Sequence, residues 1–229
     1  MKTDIKKAIK CVNYLKGKND ILVERGVKVE ESNPEGCLLF IGINPSFKNG
    51  DLMPSSPEYK STYPWDIPDE KTHSYFIKSK RIANSEGIHL PYGHHDLFPI
   101  REANQKVIEN MFDTDSKGSL ITKNDYNSFI KESLSWSQET IRECNPKIIV
   151  VINAFASRIV FDYSLLGFIP EKRWNEDLGV DFIQINGNMV PIMFSGMLSG
   201  QRALDNQSEF RLMWHIRHVL RHLELWPKQ

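Results

Sequence analysis

The stretch that decides the fold is CLLFIGINPS at residues 37–46. Its first five residues are apolar, which is typical of a strand that is buried on both faces in a parallel sheet. Gly42 lets the backbone turn sharply after this strand, so the polar residues that follow project from the carboxyl end of the sheet. Open α/β folds bind their ligands at this edge. We therefore expect a functional site directly after the first strand.

Helices and strands alternate along the rest of the chain. A second apolar strand is predicted at 147–152, and Asn186-Gly187 between two apolar segments predicts a β-hairpin. This alternation is typical of an α/β fold, here a three-layer α/β/α sandwich with a central, mainly parallel sheet. From apolar residues at helical spacing and from breaking residues we predict helices over 3–16, 71–86, 124–143, 154–161 and 206–224.

Two segments are predicted to be irregular loops that carry function. Five prolines interrupt residues 45–68, and compact domains usually keep long irregular loops only for binding or catalysis. The second loop is predicted from Pro91 to Asn104. We expect a pocket between the three segments Gly42–Phe47, Gly93–Arg101 and Ser195–Gln201.

The composition is that of a folded globular chain. Hydrophobic residues make 40% and charged residues 25% of the 229 residues, which excludes disorder and coiled coil for the chain as a whole. This length predicts a single domain over residues 1–229, with residues 1–24 as an amino-terminal helical extension. We find no apolar run long enough to cross a bilayer and no signal-peptide core, so we expect a cytoplasmic protein without a membrane partner. We also expect a monomer.

The charge and the cysteine content limit which partners and cofactors we expect. Lysine plus arginine and aspartate plus glutamate each number 29, so the chain has no net charge to attract nucleic acid, and such binding must use a local patch. Candidate patches are the amino-terminal lysines and residues 202–221. The three cysteines lie far apart without a Cys-x-x-Cys, so a disulfide framework, a zinc site and an iron–sulfur cluster lack their usual spacing. We expect no metal and no cofactor.

Four segments, in their order along the chain, resemble the motifs of the uracil-DNA glycosylase superfamily. They are GINPS at 42–46, DLFPIR at 96–101, PKIIV at 146–150 and MFSGMLSG at 193–200. The resemblance covers roughly residues 36–222. It implies the α/β/α fold, recognition of a base extruded from DNA, and hydrolysis of the N-glycosidic bond of that base in DNA repair.

The resemblance gives roles to residues of the first two segments. In this family the third residue of a Gly-x-x-Pro motif activates or positions the attacking water, and Asn44 has that place in a motif that looks like the mismatch-specific class. A strand-end Asn reads the flipped base, and several classes carry an Arg five residues later; Asp96 and Arg101 have these places. The predicted substrate-binding residues are Gly42, Ile43, Pro45, Ser46, Phe47, Asp96 and Arg101.

The closing motif departs from the family pattern. In the family it is often His-Pro-Ser-Pro, whose His stabilises the departing base while its loop enters the duplex. Residues 197–200 are Met-Leu-Ser-Gly, so Ser199 is kept and the His is absent. The resemblance thus implies Asn44 and Ser199 as catalytic residues. The predicted DNA-binding residues are Gly200, Gln201, Arg202 and, on the last helix, Arg211.

The chemistry of the side chains leaves alternatives open. Asn44 orients water but cannot accept its proton, and a general base contributes about 10²–10⁴-fold, so the site is slow unless a carboxylate such as Asp51 or Asp66 helps. By itself, Asn44-Pro45 could also be a simple turn. Arg101 could contact phosphate or pair with an acid such as Glu102. The aromatic residues that could stack on a base or anchor their loop to the core are Phe47, which lies closest to the motif, Tyr59, Tyr63 and Trp65.

Histidines occur in two groups. His94 and His95 are predicted to line the pocket as a pair rather than to bind a metal, because no third ligand accompanies them at suitable spacing. The last helix carries a stripe that could bind a metal, face phosphate or supply favourable charge at the carboxyl end of the helix. The members of this stripe are Arg211, His215, His218 and His222.

Two further functions remain open. The missing His favours a non-catalytic module that binds nucleic acid through the same pocket, and the zero net charge permits a hydrolase of free nucleosides or nucleotides. An ionised Asp accepts hydrogen bonds and donates none. Because Asp96 has the place of the base reader, we expect this protein to recognise uracil poorly. It should suit a base that presents an exocyclic amine or a ring N–H without an adjacent carbonyl.

Overall fold

The computed structural model describes residues 5–30, 33–47, 60–61, 71, 74–162, 174–200 and 203–223. None of its helices is long and apolar enough to span a membrane within these residues. The helices and strands are α1 (Ile5–Asn13), α2 (Asp20–Glu24), β1 (Val29–Glu30), β2 (Leu38–Gly42), β3 (Lys60–Ser61), α3 (Ser74–Ala83), β4 (Tyr92–Asp96), α4 (Gln105–Glu109), β5 (Phe112–Thr114), β6 (Leu120–Thr122), α5 (Asn127–Cys144), β7 (Ile148–Val151), α6 (Ala154–Asp162), β8 (Asp181–Ile185), β9 (Asn188–Phe194) and α7 (Asn206–His222).

The central sheet has five strands in the order β4-β2-β7-β9-β8. Strand β2 pairs in parallel with both β4 and β7, β7 pairs in parallel with β9, and β8 is an antiparallel edge strand. From β2 the chain passes to one neighbour, β4, and then crosses back to the other neighbour, β7. This reversal creates a topological switch point between β2 and β7, the place where open α/β sheets bind ligands.

Helices cover both faces of the sheet. Alternate residues of β2 enter opposite cores, since Leu39 and Ile41 pack with residues of α1, α5 and α6, whereas Leu38 and Phe40 pack with residues of α3 and α7. Burial of each such side chain contributes roughly 1.5–3 kcal/mol. All of β2 is buried, so the strand predicted from the apolar run is confirmed, and so is the three-layer α/β/α sandwich.

The other predicted elements are present with shifted ends. The five predicted helices correspond to α1, α3, α5, α6 and α7. In the predicted hairpin, Asn186 and Gly187 have φ of 50° and 84°, as a two-residue turn between β8 and β9 requires. The predicted loop over 45–68 is interrupted by β3, which pairs with β1. Its residues 48–59 and 62–68 lie outside the described part of the chain.

The predicted loop from Pro91 to Asn104 is wrong in its first part. Residues 92–96 form β4, and all five are buried at the edge of the central sheet. Their sequence, YGHHD, lacks the apolar run or alternation by which a strand is recognised. These polar side chains are tolerated because they meet partners inside the protein: His95 contacts Ser137, and His94 faces Asp96.

The amino-terminal helix α1 docks on α5. Its apolar side, which includes Ala8 and Cys11, is buried in the same core as Leu39 of β2. On its polar side Lys7 and Lys10 pair with Glu139 and Glu132 of α5. These exposed pairs add little stability, but they neutralise part of the basic patch predicted at this end of the chain.

Candidate functional site

A cavity of about 410 Å³ opens where β2, β4, β7 and β9 end, at the switch point of the sheet. This volume suits a small ligand, since ligand sites measure roughly 300–1,000 Å³. The walls include residues of all three segments between which the sequence predicts a pocket. The lining residues are Lys28, Glu30, Ile43, Asn44, Pro45, Ser46, Tyr75, Phe76, Asp96, Arg101, Glu102, Ala103, Gln105, Ile152, Asn153, Met197, Leu198 and Ser199.

Gly42 and Asp96 end neighbouring strands, β2 and β4, as register partners. A Cβ atom on residue 42 would overlap Asp96 Oδ1 and would lie 3.2 Å from the Tyr75 hydroxyl. The glycine is therefore required by the close approach of the Asp96 carboxylate. The first predicted motif thus makes room for a residue of the second.

The Asn44 amide fixes its own segment. Its Nδ2 donates hydrogen bonds to the carbonyl oxygens of Pro45 at 2.8 Å, Glu102 at 2.7 Å and Ile100 at 3.3 Å. Because these bonds use both amide hydrogens, any bond from Asn44 to a water or ligand must be accepted by Oδ1. Asn44 therefore has a structural role, because its Nδ2 holds its segment to the residues that flank Arg101. It also lines the cavity, where its Oδ1 can act as an acceptor.

Three titratable side chains, Glu30, His94 and Asp96, lie close together, and Glu30 and Asp96 line the cavity. Asp96 Oδ2 is 3.4 Å from His94 Nε2, whereas Asp96 Oδ1 is buried without a hydrogen-bond partner among the described residues. Burial opposes protonation of His94, but the charges of Asp96 and Glu30 outweigh it and raise the histidine pKa. Burial raises the pKa of Glu30, with the charge of His94 lowering it and that of Asp96 raising it. The sequence does not predict Glu30 as a site residue, because nothing in its local pattern distinguishes it from a surface glutamate.

The two histidines of β4 point to opposite faces of the sheet, as successive side chains of a strand do. His95 Nε2 is 2.8 Å from Ser137 Oγ, and the ring packs 4.8 Å from that of Trp136. Burial lowers the pKa of His95 to about 3. His95 is a core residue and His94 lies beside Asp96 without lining the cavity, so the prediction that the pair lines the pocket is wrong.

Arg101 lines the cavity with only 5% of its surface exposed, and its Nη1 donates to the Arg25 carbonyl oxygen at 3.3 Å. The guanidinium groups of Arg101 and Arg25 lie 4.9 and 4.8 Å from the centre of the Phe47 ring. Such cation–π contacts are worth roughly 0.5–2 kcal/mol each. The Phe47 ring contacts these two arginines and is not among the described residues that line the cavity. These contacts favour the alternative in which the ring anchors its loop rather than stacks on a base.

Helix α3 supplies the aromatic walls. Tyr75 and Phe76 both line the cavity, and both rings pack edge-on against His94, at 5.6 and 5.2 Å. Burial, together with the charges of Asp96 and Glu30, raises the pKa of the Tyr75 hydroxyl well above its ordinary value. The sequence does not predict these two site residues, because aromatic residues on a helix resemble core positions. The candidates Asp51, Tyr59, Tyr63, Trp65 and Asp66 lie outside the described residues.

The closing segment turns back on itself beside the cavity. Leu204 donates its backbone N–H to the Met197 carbonyl oxygen at 2.7 Å, and Gly200 has a φ of 86° that other residues rarely adopt. Ser199, half-buried inside this turn, lines the cavity together with Met197. Two predicted DNA contacts, Gln201 and Arg202, lie outside the described residues.

Two amide side chains complete the wall at the end of β7. Asn153 Oδ1 accepts from the backbone N–H groups of Phe155 at 2.8 Å and Ala156 at 3.0 Å, so it caps α6. Its Nδ2 donates to Gln105 Oε1 at 3.0 Å. Neither Asn153 nor Gln105 is among the site residues predicted from the sequence. The signal for Asn153 is its place after a buried strand, which matches the place of Asn44 after β2.

The histidine stripe of α7 bonds to backbone. His215 Nε2 is 2.7 Å from the Leu178 carbonyl oxygen, and His218 Nε2 is 3.4 Å from that of Asp177. Arg211 is exposed on the same helix and does not line the cavity. In the described part of the chain, no group of three or more His, Cys, Asp or Glu side chains is placed to hold a metal ion.

The arrangement can accept hydrogen bonds at Asp96 and Asn44, enclose a planar ligand beside aromatic rings, and place Arg101 near a negative group. Each of these groups reaches the cavity from a different segment of the chain. Compared with known proteins, the sequence matches no protein-family model and no curated protein.

Proposed function

We propose that this protein binds a nucleobase extruded from DNA and hydrolyses the N-glycosidic bond of that base. The observation that carries the proposal is the convergence of Asn44, Asp96 and Ser199, from three separate segments, on one cavity at the switch point. By the resemblance to the uracil-DNA glycosylase superfamily, Asn44 would position the water and Asp96 would read the base. Ser199 belongs to the closing motif.

The described contacts suggest how such a reaction would proceed. Asn44 Oδ1 would accept a hydrogen bond from the attacking water, Asp96 Oδ1 would accept one from an N–H of the base, and Tyr75 would flank the ring of the base. The water oxygen would bond to the sugar C1′ as the C1′–N bond breaks with its electron pair moving to the base, and the water proton would pass to solvent. Because an amide cannot take this proton, we expect slow turnover.

Contacts to the rest of the DNA are part of the same proposal. Arg101, inside the cavity, would face the phosphate of the extruded nucleotide. The closing segment, with Gly200, Gln201 and Arg202, would enter the duplex, and exposed Arg211 would contact the backbone of the flanking DNA. The protein would act as a monomer in the cytoplasm, without a metal or cofactor.

A second candidate is a binding module that does not cleave. The observation in its favour is that the Asn44 amide donates to three backbone carbonyl oxygens, so the asparagine has a structural role that does not require catalysis. The missing His of the closing motif points the same way. In both candidates the base occupies the same cavity, so only turnover separates them.

The test is incubation with oligonucleotides that contain uracil, hypoxanthine, xanthine or a mismatch, followed by scoring of abasic sites. We expect the parent protein to release at least one of these bases and Asn44→Ala to release none. Asn13→Ala, an exposed asparagine of α1, serves as the matched control with unchanged release. Binding without abasic sites on any substrate would favour the binding module, and base release from free nucleosides alone would favour the nucleoside hydrolase.

A further inference from the structure

Glu30 lies beside Asp96 because of the register between its segment and the end of β4. Val27 forms an antiparallel bridge with Ile100, and Lys28 donates its N–H to the Pro99 carbonyl oxygen at 3.1 Å. The strand that follows, β1, which ends at Glu30, contacts β4, which ends at Asp96. Glu30 is 7% exposed and lines the cavity, as Asp96 does.

The two carboxyl groups have different surroundings. Asp96 Oδ2 faces His94 Nε2 at 3.4 Å, so a histidine cation can balance its charge. Glu30 is buried beside that pair. Burial raises its pKa, the charge of His94 lowers it and the charge of Asp96 raises it, and the net shift is upward. Like charges in a shared site cannot both ionise readily. Burial therefore favours the protonated form of Glu30. Asp96 Oδ1, buried without a hydrogen-bond partner among the described residues, is available as an acceptor.

We propose that Glu30 is a hydrogen-bond donor of the site and that, with Asp96, it reads an amidine edge, in which a ring nitrogen adjoins an exocyclic amine. Cytosine and adenine carry this edge. Glu30 would donate to the ring nitrogen, and Asp96 Oδ1 would accept from the amine. The inference rests on the proposed function, since it names the class of base that the same cavity takes. A lactam edge, as in uracil or hypoxanthine, pairs less well because its carbonyl oxygen is a weaker base than an amidine nitrogen.

The pair would also supply what the closing motif lacks. The Glu30 proton would pass to the ring nitrogen, the C1′–N bond would break with its electron pair going to the base, and the base would leave neutral. The attacking water would lose a proton to solvent, and solvent would reprotonate Glu30, so atoms and charge balance. General acid catalysis of this kind contributes about 10²–10⁴-fold.

The test compares Glu30→Gln with Glu30→Ala. A glutamine keeps a neutral donor of the same size but has no proton to transfer, whereas alanine removes the donor. In calorimetric titrations with free bases, we expect the parent protein to bind cytosine or adenine about tenfold or more tightly than uracil or hypoxanthine. We expect Glu30→Gln to bind within about threefold of the parent and Glu30→Ala to lose about tenfold or more. Glu143→Gln, an exposed glutamate of α5, is the matched control.

The outcomes separate this inference from the proposed function. Equal losses in Glu30→Gln and Glu30→Ala, or tighter binding of the lactam bases, would overturn the inference. If the protein excises a lactam base, and Glu30→Ala excises it at the same rate, the inference is overturned while the proposed function stands. Where excision is measurable, a fall of about 10²-fold in kcat for Glu30→Gln at unchanged KM supports proton donation. Failure of the folded parent protein to bind any base would overturn both proposals.

Discussion

The Oδ1 atom of Asp96 occupies the space that a Cβ atom of Gly42 would need. The two residues end neighbouring parallel strands in register, and Asp96 lines the cavity. The missing side chain at position 42 therefore determines where the carboxylate can lie. Backbone conformation does not require this glycine, because Gly42 is not among the residues with positive φ.

We predict that Gly42→Ala lowers the free energy of unfolding by about 1–3 kcal/mol, the usual cost of overpacking. It should also weaken ligand binding about tenfold, since the carboxylate must move out of its place. A double-mutant cycle with Asp96→Ala, followed by urea denaturation, isolates the contact. We expect a coupling energy of at least about 1 kcal/mol, because removal of the carboxylate relieves the clash. Additive costs would show that the alanine meets another group instead.

The parts of the fold that sequence predicts are those with a strong local pattern. The apolar run of β2 and the Asn186-Gly187 turn each have one stable solution, so their structures follow from local physics. Strand β4 could not be predicted in this way, because its polar residues are stable only beside partners from other elements. Ser137 of α5, which contacts His95, lies 42 residues further along the chain.

The residues of the candidate site differ in the same way, since some have a local sequence signal and others do not. Asn44 and Asp96 are found from sequence because each lies at the end of a segment with a recognisable motif. Glu30 and Tyr75 reach the cavity only through tertiary packing, one through its register with the residues after β4 and the other through the docking of α3. No local pattern indicates that their side chains meet Asp96.

We predict that Asn44→Ala destabilises the protein by about 1–3 kcal/mol, independently of any catalytic role. The substitution removes the donor from the Pro45, Ile100 and Glu102 carbonyl oxygens, which then lack that partner at the edge of the cavity. Urea denaturation measures the change. Asn13→Ala, at an exposed position, should alter stability by no more than about 0.5 kcal/mol. Equal stability of Asn44→Ala and the parent protein would contradict a structural role for this amide.

His95 should make the protein sensitive to acid. Its pKa is lowered to about 3 by burial, so the folded state favours the neutral ring, and stability is lost as pH falls below the ordinary histidine value of about 6.5. The loss approaches about 1.4 kcal/mol per pH unit in this window. His94 does not oppose it there, since a raised pKa gives a contribution that is constant below about 6.5 and lost only at higher pH.

The measurement compares denaturation of the parent protein and His95→Gln at pH 6.5 and pH 5. The parent should lose about 2 kcal/mol more than the variant over this interval. Glu30, with its raised pKa, favours the folded state as pH falls, but it does so in both proteins and cancels in the difference. Identical pH dependence of the two proteins would rule out His95 as the acid-sensitive group.

Binding to DNA should depend only weakly on salt. The chain has zero net charge, and Lys7 and Lys10 of α1 pair with α5, so we expect only a few local contacts to phosphate and a log–log slope of about −2 to −4. Arg211→Ala should make the slope shallower by about 1, whereas Lys7→Ala should leave it unchanged. Fluorescence anisotropy over a salt series provides the slopes. A slope near zero would favour free nucleosides as ligands, and a much steeper one would reveal an additional basic surface.

Asp96→Asn should improve the reading of uracil. The Asp96 carboxylate offers only acceptors, and a uracil carbonyl placed against it would be repelled at a cost of several kcal/mol when buried. An asparagine amide both donates and accepts, so it can satisfy the carbonyl and the adjacent ring N–H of uracil together. We expect the ratio of uracil to cytosine affinity to rise about tenfold or more in this variant. Asp113→Asn makes the same charge change at an exposed residue of β5 and should leave the ratio unaltered. Robust uracil excision by the parent protein, reduced by Asp96→Asn, would refute Asp96 as the base reader.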